Sequence, residues 1–260
     1  MPGNGLLFTA AGLFGLVFGS FLNVCIVRLP HEDAKARSLI RPPSSCPKCH
    51  REIVWYDNIP VVSWLLLRGK CRWCAQPISI QYPLIELAVA VLWLLAAWRD
   101  GATAHGLAGA LFLSVLLGIA IIDARHYVIP DELSYGGLVA GLLLALAGGV
   151  NGFLGALLGA AVGGVTLYAV RVVGGWILKQ EAMGWGDVKM LAMIGAFVGW
   201  AGVLLTVFLG ALVGSAIFLP LQLKGKRLVP FGVFLAVGAA VTYFFGNQVI
   251  SWYLQFLHGV

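Results

Sequence analysis

Charged residues are scarce in this chain. Asp, Glu, Lys and Arg make up 11% of its 260 residues, where a soluble domain carries roughly a quarter. Acidic residues are scarcest, 11 in all. So few polar groups cannot cover a water-exposed globule, and with 60% of residues hydrophobic the surplus apolar surface must face lipid. A basic n-region is missing too. Met1-Pro2-Gly3-Asn4 carries no Lys or Arg, and the first apolar run ends at Arg28 without a small-residue cleavage site. It reads as a retained helix rather than a cleaved signal peptide. No glycine-rich nucleotide fingerprint follows a strand, and no internal repeat of the kind found in transporters is visible.

Eight apolar runs remain, at 5–27, 83–98, 106–122, 133–149, 152–172, 188–200, 202–221 and 231–256, bounded by charges, Gly/Pro breaks or polar clusters. Most fit the ~20-residue window of a bilayer-spanning helix. The sixth is short, and is either a partial span or joined to the seventh across Gly199–Gly202. The expected fold is an all-α polytopic membrane protein of about eight transmembrane helices. An even count puts both termini on one side. With the termini outside, every Lys and Arg of the 17 except Arg99 falls inside, the asymmetry of the positive-inside rule. The net charge of +6 is therefore a topology signal and not a nucleic-acid surface, and the basic loop Lys224–Arg227 belongs to it. Residues 1–27 form the first helix, 28–82 a small cytoplasmic insertion and 83–260 a seven-helix membrane domain. The insertion holds six of the 11 prolines and four of the five cysteines. Gly148-Gly149, Gly159 and Gly163-Gly164 are expected where helices approach closely.

Cys46-Pro47-Lys48-Cys49 and Cys71-Arg72-Trp73-Cys74 are two C-x-x-C knuckles 21 residues apart. Each can place two thiolates on one ion, and together they complete a tetrahedron suited to zinc. The insertion is too short to bury a large core, and a metal would supply the missing folding energy. Paired disulfides are the alternative, disfavoured in a reducing cytoplasm. Four thiolates leave no open position, so the site is structural. Cys25 lies inside the first apolar run and reads as a small buried hydrophobe.

With 11 acidic residues, each can be weighed. Asp123 ends the run that stops at Ile122, and Asp187 precedes the run that starts at Val188. An ionisable group at the end of a membrane helix is a functional candidate. Two neighbouring carboxylates share a proton, so that one can activate water while the other, protonated, polarises a carbonyl. That is the chemistry of an aspartic peptidase. Gly184 and Gly186 flank Trp185 just before Asp187, and glycines there let an extended substrate approach closely. Asp187 also fits a helix cap, and Asp131, after Pro130, a first-turn residue. Asp123 does not fit a cap, because it ends its helix. Glu86, four residues into a run, is either a partner for a basic residue or a substrate contact.

Taken in order, these blocks resemble the bacterial type IV prepilin peptidases over almost the whole chain. The resemblance runs through Gly19-Ser20-Phe21-Leu22-Asn23-Val24, Arg28-Leu29-Pro30, the two cysteine knuckles with Asp57-Asn58-Ile59-Pro60 between them, and Tyr82-Pro83-Leu84-Ile85-Glu86-Leu87. It continues through Asp123 with Ile129-Pro130-Asp131, Gly184-Trp185-Gly186-Asp187-Val188-Lys189, and Pro230-Phe231-Gly232-Val233-Phe234-Leu235. Val233 stands where a proline is common in the family, and Ala182 where a glycine is.

The resemblance implies that Asp123 and Asp187 are catalytic, in an active-site loop with Gly184, Gly186 and Lys189. It implies that a basic leader is cut from prepilins or pseudopilins at the cytoplasmic face of the inner membrane. It further implies that the new N-terminus is methylated with S-adenosylmethionine as donor. The cysteine segment favours this bifunctional form over a peptidase that only cuts, and carboxylates gathered at one face disfavour an ion transporter. Asn23 and Glu86, polar and near the inside ends of their runs, are the candidates for contact with the methyl donor or substrate.

Overall fold

The computed structural model describes residues 3–33, 35–181, 183–222 and 230–258. Ala182 and the basic loop at 224–227 lie outside the described residues. The elements run α1 (Gly3–Arg28), α2 (Val62–Leu66), α3 (Gln81–Asp100), α4 (Ala104–His126), α5 (Asp131–Ala145), α6 (Gly149–Leu178), α7 (Trp185–Gln222) and α8 (Phe231–His258). No strand occurs among the described residues; two isolated bridges, Ser45 with Glu52 and Lys70 with Pro77, lie between α1 and α3. The fold is all-helical, as the sequence predicts.

Among the described residues, six stretches are long and apolar enough to cross a membrane: 5–28, 81–100, 104–126, 131–178, 185–217 and 231–256. Eight separate spans are not found by this measure, for a local reason. The fourth and fifth apolar runs share one stretch, joined by the 3-10 turn Leu146–Gly148 and by Gly149 at φ 69°. The sixth and seventh share another, interrupted at Gly199 with φ 72° and ψ 175°. Both interruptions use a backbone conformation that glycine alone adopts without strain.

The chain divides into two compact units, one ending at Ser114 and the other beginning at Val115. In the first, α1 packs on α3 through glycines. A Cβ on Gly15 would lie 2.6 Å from Ala90 Cα, and one on Gly19 would lie 2.6 Å from Glu86 Cα. Phe18 packs on Trp93 with ring centroids 4.9 Å apart. The Trp93 indole N–H finds the Ser114 hydroxyl at 3.0 Å, so no buried donor is left unpaired there.

In the second unit α7 is the central helix, packed on α5, α6 and α8; its Met190, Leu191, Met193 and Ile194 are fully buried. Gly159 of α6 meets Gly195 of α7 backbone to backbone, and Gly163 meets Leu191. A Cβ on Gly238 of α8 would lie 2.6 Å from the Thr206 carbonyl of α7. Close approach of this kind lets dispersion hold helices together where no hydrophobic effect operates between them. Gly159 and Gly163 have the packing role expected of them. Gly148 and Gly149 do not: nothing lies within 4 Å of a Cβ at either, and their place is the turn between α5 and α6.

Candidate active site

Asp123 stands in the last turn of α4. The helix stops four residues later, where Tyr127 takes φ 56° and its N–H donates to the Asp123 carbonyl at 2.9 Å. A carboxylate is disfavoured at the C-terminal end of its own helix. Here it faces the N-terminus of another: the N–H of Val233, in the first turn of α8, donates to Asp123 Oδ2 at 3.2 Å, and the Gly232 N–H also reaches the carboxylate. The free amide groups that open a helix are a ready anion site. Asp123 is only 5% exposed, so these donors replace the water it has lost.

Asp187 is the third residue of α7. Its carboxylate accepts the N–H of Gly184, the residue just before the helix, which is the reciprocal half of a capping box. It therefore caps α7, and it also lies within electrostatic reach of Asp123. Ile129 connects the two surroundings. A Cβ on Gly186 would fall 2.8 Å from Ile129 Cβ, and one on Gly232 would fall 2.9 Å from Ile129 Cδ1. Gly184 alone precedes the helix; Gly186 and Lys189, expected in a loop, belong to the opening turns of α7. Lys189 Nζ pairs with Asp131 at 2.7 and 2.8 Å and lies 5.4 Å from the Tyr135 ring centroid, which ties α7 to the first turn of α5.

Sequence reasoning missed the holder of the segment before α7. Arg171 of α6 donates to the Met183 carbonyl, pairs with Glu181 at 2.7 Å and lies 4.8 Å from the Trp185 ring centroid. The available signal was a lone arginine inside an apolar stretch, with Glu181 a loop away.

The two cysteine knuckles are copies of one fold offset by 25 residues. Cys46 N–H donates to the Arg51 carbonyl and His50 N–H to the Cys46 carbonyl; Cys71 N–H donates to Gln76 and Ala75 N–H to Cys71. His50 and Ala75 take φ 56° and 55°. The four Sγ atoms lie within 4.8 Å of one another, with Cys46 and Cys74 at 3.7 Å. A tetrahedral ion with ~2.3 Å bonds to sulfur needs edges of ~3.8 Å, so the residues fit zinc. The N–H groups of Cys49 and Lys48 hold the Cys46 thiol down to about 6, and N–H groups of Cys74 and Trp73 also lower Cys71. Cys74 receives the Gln76 N–H, yet desolvation and the other thiols push it up to about 11. A dication among them relieves that crowding of like groups.

Asn23 and Glu86 border a cavity of about 600 Å³ beside the knuckles, a volume typical of small-molecule sites. Trp64, Trp73 and Tyr82 line it together with the Asp57–Arg72 pair, bonded at 2.6 Å. Glu86 has no ion pair among the described residues. Its Oε2 accepts the Val61 N–H at 2.7 Å and it takes the Ser20 hydroxyl, so the reading of Glu86 as partner to a basic residue is set aside.

Known proteins match most of the chain. Residues 13–100 match the Bacterial Peptidase A24 N-terminal domain and residues 110–219 the Type IV leader peptidase family. A prepilin leader peptidase/N-methyltransferase of Xanthomonas campestris pv. campestris is 37% identical, over 97% of this chain and 96% of its own length. One from Pseudomonas aeruginosa is 38% identical, over 94% and 92%. One from Myxococcus xanthus is 41% identical over 72% of this chain, which spans 54% of that relative. No solved structure matches.

Proposed function

This chain belongs to the type IV leader peptidase family, and we propose that it removes the basic leader from prepilins or pseudopilins and then methylates the new N-terminal residue with S-adenosylmethionine. The observation that carries the cleavage reading is the pairing of Asp123 and Asp187 at two helix ends, within electrostatic reach of each other and each held by backbone N–H groups. One carboxylate takes a proton from water as the oxygen attacks the scissile carbonyl; the other, protonated, donates to the carbonyl oxygen. Collapse of the tetrahedral adduct passes a proton to the leaving nitrogen and frees the amine. Fixed N–H donors around both groups keep their orientation without solvent reorganisation.

Zinc on Cys46, Cys49, Cys71 and Cys74 holds the knuckles together and has no open position for chemistry. The cavity bordered by Asn23 and Glu86 takes the methyl donor or the amine. The basic-residue bias supports a cytoplasmic position for the knuckles and both aspartates at the inner membrane, with the termini periplasmic. Partners are the prepilin substrate and lipid, not nucleic acid.

The test is incubation of the purified protein with a leader-bearing prepilin and labelled S-adenosylmethionine, read by mass spectrometry. Leader loss and methyl gain on the same product are expected. Folded protein with neither activity would defeat the reading, and cleavage without methyl gain would defeat its second half.

A further inference from the structure

The buried amide of Asn23, 2% exposed, has a single orientation. Its Nδ2 donates to the Tyr82 carbonyl at 3.0 Å. A carbonyl only accepts, so Oδ1 cannot take that place. Oδ1 is left buried with no hydrogen-bond partner among the described residues, an arrangement that native structures rarely keep without a ligand or water to fill it. Asn23 borders the 600 Å³ cavity, and so does a second acceptor. Glu86, 7% exposed, stands one helical turn after Tyr82 on α3, opposite Gly19, which is one turn before Asn23 on α1. A carboxylate has about four lone-pair sites; Val61 N–H and the Ser20 hydroxyl use two.

No cationic side chain among the described residues satisfies this corner. The arginines bordering the cavity have other partners: Arg28 donates to the Ser38 and Pro42 carbonyls, Arg72 pairs with Asp57, and Arg51 lies over Trp73. The corner is also held at a conformational cost. Val61, whose N–H meets Glu86, takes φ 61°, an unfavourable region for a β-branched residue. Strain of that kind gathers at ligand sites.

An acceptor-only corner with a carboxylate fits a compact group that only donates and carries positive charge, and a primary ammonium has three N–H donors and no acceptor. We propose that Asn23 Oδ1 and the Glu86 carboxylate seat a primary α-ammonium group. It comes either from the freshly exposed N-terminus of the substrate or from the amino-acid end of the methyl donor. The inference deepens the methyltransferase reading and rests on it for the identity of the amine, not for the existence of the seat.

The experiment is equilibrium binding to the full-length protein in detergent, followed by tryptophan fluorescence or calorimetry. The probes are a short peptide with a free N-terminal Phe beside its N-acetylated form, and S-adenosylmethionine beside its deaminated analogue. In the wild type, loss of the amine should weaken one pair by about tenfold or more, the worth of a charge-assisted contact. That preference should vanish in Asn23→Ala and in Glu86→Gln. The pair that responds identifies the source of the amine. Equal binding with and without the amine in both pairs overturns the seat, and so does a preference undiminished in the two variants. The wild-type comparison decides even if a variant fails to fold. A wild type that prefers the amine but never methylates a cleaved prepilin keeps the seat and loses the methyltransferase.

Discussion

Gly232 leaves room for the Asp123 carboxylate: a Cβ at Gly232 would lie 2.8 Å from Asp123 Oδ2 and 2.9 Å from Ile129 Cδ1. Neither neighbour can retreat cheaply, since Asp123 is held by α8 amides and Ile129 also abuts Gly186. Gly232→Ala should cost about 1–3 kcal/mol in overpacking and displace the carboxylate. Leader cleavage should fall by about tenfold or more through misplacement, with methylation of a pre-cleaved peptide unchanged because the cavity lies in the other unit. Normal cleavage rates in the variant would show that the carboxylate is not held where the structure places it.

Arg171 fixes the backbone that leads into Asp187 through Met183, Glu181 and Trp185. Arg171→Ala should free that segment and lower kcat for leader removal by about 10–100-fold, with KM for the prepilin little changed. Arg171→Lys should recover only part, since lysine cannot reproduce the forked donors. A variant with altered KM and intact kcat would assign Arg171 to substrate binding instead.

Metal analysis of the wild type should return one zinc per chain. Cys46→Ser or Cys71→Ser should lose it and melt the knuckles, because structural zinc contributes folding energy of order 10 kcal/mol in small sites. Limited proteolysis should then cut between residues 29 and 80 while the helices of the second unit stay protected. Wild-type protein free of zinc yet equally resistant to proteolysis contradicts this.

Asp57 gives a pH signature. The Arg72 guanidinium holds its carboxyl below the ordinary 3.8. A group depressed in the folded state adds stability above its unfolded pKa and loses it as pH falls through the lowered value. The difference in thermal stability between wild type and Asp57→Asn should stay level from neutral pH down to about 4 and close below that. A difference that grows on acidification would mean that the pair is not formed in solution.

Much of the fold is legible in the sequence alone. The apolar runs predicted the helices because a lipid-facing segment has no other way to satisfy its backbone, and two C-x-x-C knuckles predicted a thiolate cluster because the ligand spacing is local. Helix continuity was not legible. Gly149 reads as a helix-packing glycine and Gly199 as the join between two apolar runs; both take positive φ, a fact set by tertiary context. Asp123 was visible as a carboxylate with no reason to end its helix. Its stabilisation was not, because the compensating amides of Gly232 and Val233 lie more than 100 residues away. Glu86 invited a basic partner by its charge alone; its partners are the N–H of a strained valine and a serine hydroxyl, which no charge pattern reveals.

In the proposed function, Asp123 and Asp187 together cut the leader. Asp123→Asn and Asp187→Asn keep the side-chain shape and remove the proton chemistry, so each should slow cleavage by at least ~10². Both variants should still methylate a peptide supplied already cleaved. Mass spectrometry of prepilin and pre-cleaved peptide, incubated side by side with each variant, measures both reactions at once. Loss of cleavage with methylation retained is the predicted result; cleavage near the wild-type rate by either variant would contradict the account.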